Sequence, residues 1–142
     1  MTEQKGHLEL VSPSTDAIRA EYHAMRKRML FDSIGRPYDE NHPDESRIGN
    51  YRHVLLLNGE SIGTVRIDID VPEAAFRLVT IREDLQGSGY GRRLVELSES
   101  FACNSGCCRV MVTAGDQSVG FWEKCGYSRF SCGRRIIMRK DI

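Results

Sequence analysis

Residues 86–93 read Gln-Gly-Ser-Gly-Tyr-Gly-Arg-Arg, with glycine at every second position ahead of two arginines. The run that follows puts Leu94, Leu97 and Phe101 on one helical face, with Ser98 and Ala102 beside them, while Arg92, Arg93, Glu96 and Glu99 fall elsewhere. A glycine-rich turn against a helix start can hold an anion. The first helical N–H groups have no intrahelical acceptor, the helix dipole adds partial positive charge, and glycine lets the backbone approach a phosphate closely. Arg92 and Arg93 add donors suited to phosphate oxygens. The spacing is not GxGxxG and no Gly-Lys-Ser/Thr follows, so neither the dinucleotide fingerprint nor a Walker A loop is present. A tight strand-to-helix turn without a ligand is the plain alternative.

Other side chains could handle protons. Asp68 and Asp70 alternate with Ile67 and Ile69, on the polar face of one strand, where salt bridging is the competing role. His23 and His53 could titrate near neutral pH, though His53 alternates with Val54 and reads as structural. Five carboxylates, Asp32, Asp39, Glu40, Asp44 and Glu45, crowd residues 31–49, where Arg36 and Arg47 are the nearby bases. They read as a negative rim that would attract cationic amines. The five cysteines, Cys103, Cys107, Cys108, Cys125 and Cys132, include no CxxC pair and no adjacent histidine. Reduced thiols are expected, with neither a disulfide framework nor a metal.

These residues need elements to position them. "HLELV" makes a short strand, and Ser14 is the expected N-cap of a helix running to about Leu30, with Ile18, Tyr22, Met25 and Met29 on one face. Residues 31–49, with two prolines, read as a loop over one side of the domain. "YRHVLLL" and "SIGTVRIDID" flank Asn58-Gly59, a strong hairpin signal, and "AAFRLVTI" adds a third strand after a turn at Pro72-Glu73. After the helix from Tyr90, terminated at Gly106, come an apolar strand "CCRVMVTA", a short helix "QSVGFWEKC" stopped by Gly126, and a final hairpin around Cys132-Gly133. The order β-α-β-β-β-α-β-α-β-β is that of a mixed α/β domain with one crossover helix.

Within that order, Gln86-Gly-Ser-Gly89-Tyr-Gly91 resembles the Gln/Arg-x-x-Gly-x-Gly/Ala signature of the GNAT N-acetyltransferase superfamily. Phe121-Trp122-Glu123-Lys124-Cys125-Gly126-Tyr127 resembles its second segment, Phe-Tyr-Glu-Lys-x-Gly-Phe. The resemblance spans essentially the whole chain, as one domain over 1–142. It implies the GNAT acyl-CoA N-acyltransferase fold: a mixed, mostly antiparallel central sheet flanked by helices. It also implies acetyl-CoA as donor and direct attack by the primary amine of a small molecule or peptide. Gln86, Gly87, Ser88, Gly89, Tyr90, Gly91 and Arg92 take the positions that hold the pyrophosphate. Val79 and Ile81 take those pairing with the pantetheine arm, where an N–H can also face the thioester carbonyl.

The chain departs from the family at the proton-handling positions. Trp122 replaces the usual tyrosine acid, and an indole N–H donates without ionising near neutral pH. Packing beside the cofactor is the role expected of it, which keeps it among both the catalytic and the cofactor-binding candidates. Gly115 stands where some members carry asparagine, and Ala75 where the histone-acetylating branch has a glutamate. Asp68 and Asp70 are the remaining base candidates, and the amine could also lose its proton to water.

Bulk properties restrict the alternatives. Twenty basic and twenty acidic residues cancel, which argues against nucleic acid or an anionic membrane as partner. Arg134, Arg135, Arg139 and Lys140 read as a solvated strand face. No apolar run is long enough for a membrane span or a signal peptide, so a cytoplasmic location is expected. The final hairpin offers an edge to a second copy, making a homodimer the expected assembly if there is one. A catalytically degenerate CoA-binding sensor is the rival function.

Overall fold

The computed structural model describes residues 6–142. Its strands are β1 (Leu8–Val11), β2 (Asn50–Leu57), β3 (Glu60–Asp70), β4 (Glu73–Ile81), β5 (Arg109–Ala114), β6 (Ser128–Cys132) and β7 (Ile136–Asp141). The helices are α1 (Asp16–Arg26), α2 (Tyr90–Asn104) and α3 (Val119–Lys124). The seven strands form one sheet in the order β1-β2-β3-β4-β5-β7-β6, antiparallel except at β4–β5. This is the expected element order and the expected mixed sheet. The parallel step is the one crossed by α2.

Local chemistry accounts for most boundaries. Asn58 (φ 52°) and Gly59 (φ 86°) both lie in the left-handed region, as a two-residue hairpin turn requires. The α1 cap is Thr15, one residue beyond the expected Ser14, and its hydroxyl accepts from the Ile18 N–H at 3.1 Å. The α-helix proper stops at Arg26. A π-helical turn, Lys27–Phe31, carries the chain on to about the expected limit.

The main core lies between the sheet and the α2–α3 face. It includes Val65, Ile67, Phe76, Leu94, Val110, Trp122 and Met138. On the opposite face Tyr22 of α1 packs with Val54 and Leu56 of β2. The even-numbered polar residues of β3, Thr64, Arg66 and Asp68, face the α1 side because Val65 and Ile67 are committed to the core.

β4 and β5 are in register only from Glu73↔Arg109 to Ala75↔Met111. Beyond that the strands diverge. β4 carries a bulge there: between Thr64↔Thr80 and Arg66↔Arg77, Val65 alone opposes Leu78 and Val79, and Leu78 has φ 54°. A bulky residue at positive φ is rare and marks a spot that the surrounding fold imposes.

Candidate active site

The chain from Leu78 to Arg92 runs through three consecutive features. The first is the bulged end of β4, whose β5-facing edge has no ladder partner among the described residues. The second is a turn that Gln86 fixes by donating from Nε2 to the Ile81 carbonyl at 2.9 Å. The third is the start of α2. Gly87 (φ 79°) and Gly89 (φ 90°) hold left-handed backbone, and a Cβ at either would meet nothing within 4 Å. The positive φ accounts for glycine at both, and the space beside them is open. Gly89 caps α2 with no side-chain hydrogen bond, so the first-turn N–H groups have no side-chain acceptor. Arg92 is exposed and has no hydrogen bond or ion pair among the described residues. Gly91 has a different reason: a Cβ there would come within 3.0 Å of the Phe121 ring, so it lets α2 and α3 approach. Tyr90 packs against the core, and Ser88 is exposed.

An anion fits this turn. Open space, unfilled N–H groups and a free guanidinium suit a pyrophosphate, so coenzyme A is chemically compatible with residues 86–92.

On the α1 face, a cavity of about 900 Å³ opens between the 31–49 loop and the sheet; Leu78 of β4 and Thr113 of β5 line it. Its floor is ionic. Arg26 donates to Glu45 and to the Tyr22 hydroxyl, and Tyr22 itself donates to Glu45 Oε1 at 2.9 Å. Arg66 reaches Glu45 Oε2 at 3.4 Å and grips both oxygens of Asp68, at 2.8 and 3.0 Å. Side-chain exposures of 3% for Arg26, 6% for Glu45 and 9% for Arg66 put this cluster out of water. Burial would push the Glu45 carboxyl up, but hydrogen bonds and charge from Arg26, with Tyr22 and Arg66 added, hold it below its ordinary value.

The structure redistributes the residues singled out from sequence. Asp68 lines the cavity, but both its oxygens are occupied by Arg66, which leaves it a poor base. Asp70 also lines the cavity, opposite Glu73 at the start of β4. Five residues of strand separate Glu73 from Leu78, about 17 Å at ~3.3 Å per residue. Asp70 therefore cannot serve chemistry at the bulge. Trp122 is 5% exposed and sits edge-on to Phe121 and Tyr127, with ring centroids 5.1 and 5.0 Å away. It is part of the core. Val79 and Ile81 are at the C-terminal end of β4, and the Ile81 carbonyl is the one held by Gln86.

The histidines stand apart. His53 is buried edge-on to Phe101 at 4.5 Å, and desolvation lowers its pKa. His23 pairs with the Tyr38 hydroxyl at 2.5 Å, on the side of α1 facing residues 38–41. The 31–49 carboxylates are largely spent: Asp32 on Lys27, Asp44 on Arg47, Glu45 in the buried cluster. The negative rim is therefore much reduced. Leu78 is the residue the sequence reading passed over. Its signal was a phase slip: Ala74 and Phe76 face the core, and so do Val79 and Ile81, so the apolar alternation breaks between 76 and 79.

Among the described residues no group of three or more His, Cys, Asp or Glu is arranged to hold a metal, and no helix is long and apolar enough to cross a membrane.

Comparison with solved structures yields the same architecture. A putative N-acetyltransferase from Lactobacillus plantarum matches with TM-score 0.81 at 22% identity, over 94% of this chain and 97% of the other. A Bacillus subtilis acetyltransferase in complex with CoA matches with TM-score 0.72 at 17% identity, over 97% and 99%. The ribosomal-protein-S18-alanine N-acetyltransferase of Escherichia coli matches with TM-score 0.75 at 16% identity, over 96% and 94%. A family model, that of the acetyltransferase (GNAT) family, matches residues 16–127, most of the chain and both glycine-bearing segments. With the glycine turn ahead of α2, the divergence of β4 from β5 and this match together, the chain belongs to the acetyltransferase (GNAT) family.

Proposed function

We propose that this protein transfers an acetyl group from acetyl-CoA to the primary amine of a small molecule, by direct attack. The observation that carries the reading is the continuous run from the Leu78 bulge to the open, uncapped turn at Gly87–Gly89. One end suits a thioester carbonyl and the other a pyrophosphate. The CoA seen with the Bacillus subtilis relative supports the same assignment. When bound, acetyl-CoA supplies an activated acyl group as a thioester.

The protein's own contribution is positional and electrostatic. The bulge frees backbone from the β3 ladder, so an N–H near Leu78–Val79 is available to the carbonyl oxygen as it gains charge. The amine reaches the acyl carbon from the cavity that Leu78 lines. A C–N bond forms, the C–S bond breaks, and the sulfur leaves as thiolate. Among the described residues lining this cavity with Leu78, Asp68 is gripped by Arg66, Asp44 pairs with Arg47 and Glu45 is locked in the buried cluster. The amine reacts as its free base after losing one proton to water, its nitrogen gives up a second proton through solvent to the departing thiolate as the amide forms, and orientation supplies much of the rate.

The test is a thermal-shift titration together with amine-dependent thiol release. At a hundredfold excess over Kd, CoA should stabilise the fold by about 2.7 kcal/mol. Gly89→Val, which forces a β-branched residue to φ 90°, should abolish the CoA shift while the unliganded protein still melts cooperatively. An unchanged CoA shift in that variant would remove the turn from the site. A shift without thiol release from any amine would favour the sensor reading over the enzyme.

A further inference from the structure

Five arginines line the 900 Å³ cavity, and their guanidinium groups are not equally engaged. Arg26 is bound to Glu45, Arg47 to Asp44 at 3.0 Å, and Arg66 to Asp68 and Glu45. Two remain. Arg77 comes no closer than 3.6 Å to Asp68, whose oxygens Arg66 already holds, and its side chain is 45% exposed. Arg36 is exposed, and its side chain has no hydrogen bond or ion pair among the described residues. The same lining carries five carboxylates, Asp39, Asp44, Glu45, Asp68 and Asp70, so the cavity is balanced in formal charge, and what sets Arg77 and Arg36 apart is that no carboxylate holds either guanidinium closely. Of these two loosely held cations, Arg77 is the residue immediately before Leu78.

Resting on the acetyl-transfer reading above, we infer that the acceptor is an aminocarboxylate of the free α-amino-acid type, its carboxylate held by Arg77 and its amine directed to the acyl group beside Leu78. The adjacency decides the class. An anion on Arg77 and an amine at Leu78 must lie within a few bonds of each other. A guanidinium fork pairs with a carboxylate through two parallel hydrogen bonds, which fixes orientation as well as charge. Arg36, on the loop that covers the cavity, supplies a second donor from the opposite wall. Phe31, Pro37 and Ile48 give that wall apolar surface for the acceptor's side chain.

The experiment compares acceptors that differ only in the carboxylate. L-phenylalanine is paired with phenethylamine, L-tyrosine with tyramine, and L-lysine with cadaverine. Binding of each to the CoA-loaded protein is measured by calorimetry, and thiol release from acetyl-CoA is measured alongside. In at least one pair the amino acid should bind about 10- to 100-fold more tightly, the usual worth of a charge-assisted contact. Arg77→Ala should erase that difference while leaving the decarboxylated amine unchanged, and Arg77→Lys should restore part of it. Equal binding within every pair overturns the inference, as does an Arg77→Ala loss shared by both members. Failure of all the amino acids to bind also overturns it. A carboxylate preference in binding without thiol release from any compound sinks the transfer reading and leaves the carboxylate site standing. Thiol release at equal efficiency within every pair does the reverse.

Discussion

Replacing Glu45 tests the architecture beneath the cavity. Its carboxylate is the one charge partner of Arg26, whose Nε has no hydrogen-bond partner among the described residues. Arg26 is 2% exposed, so Glu45→Ala strands a guanidinium away from water, with the Tyr22 hydroxyl and the faces of the Tyr22 and Tyr38 rings beside it but no carboxylate. Breaking a buried pair from one side costs about 3–5 kcal/mol. For a chain of this size that lowers Tm by roughly 6–20 °C, at about 2–4 °C per kcal/mol. Glu45→Gln keeps the shape and one acceptor oxygen and should fall at the mild end. The double change Arg26→Met with Glu45→Leu removes both charges and should recover most of the loss, since an apolar pair needs no solvation. The acid limb follows from linkage. Glu45 has a lowered folded pKa, so its contribution is complete above the unfolded carboxyl value of about 4.3 and fades as pH falls through the folded value. Wild type should therefore lose stability steeply below about pH 4.3, and Glu45→Gln should lose less there. Urea melts from pH 7 down to 3 measure both effects. A Glu45→Ala cost under about 1 kcal/mol would show that Arg26 finds water or another partner, and would refute the buried cluster.

Two further expectations concern the site. Trp122→Phe should keep thiol release within about threefold and lower stability by roughly 1–2 kcal/mol, because the ring fills core volume; a loss of orders of magnitude with folding intact would instead mean an indole hydrogen bond in the chemistry. With Asp68 gripped by Arg66, and with His53 buried and held below its ordinary pKa, kcat/KM should rise with pH until the amine's own pKa; an inflection near pH 6–7 that disappears in a histidine variant would contradict this.

The two halves of the site differ in how far sequence exposes them. The anion turn lies within residues 86–92, and its requirement for positive φ at Gly87 and Gly89 appears directly as glycine in the sequence. The hairpin at Asn58-Gly59 is legible for the same reason. The half proposed for the acceptor is assembled by long-range pairing. Glu45 meets Arg26 and Arg66 across 19 and 21 residues, and nothing local distinguishes it from Glu40 or Asp44. Local sequence therefore presents all five loop carboxylates alike, while the fold spends Asp32, Asp44 and Glu45 on Lys27, Arg47 and the buried cluster. Trp122 shows a different limit: it occupies a motif position, yet the side chain turns into the core.

The Leu78 bulge ties the halves together through register. Antiparallel partners share a face, so Arg77 opposite Arg66 lies on the cavity side with Asp68. Continuing the Thr64↔Thr80 register without the extra residue would set Arg77 opposite Ile67, pointing into the α2–α3 core. That would bury a guanidinium among Phe76, Leu94 and Val110, an arrangement several kcal/mol uphill on general grounds. The bulge thus does two things with one residue. It releases backbone toward the proposed acyl position, and it reverses the phase of β4 so that Val79 and Ile81 reach the core while Arg77 reaches the cavity proposed for the acceptor. The loosely held arginine and the freed backbone are neighbours because both follow from the same slip in register.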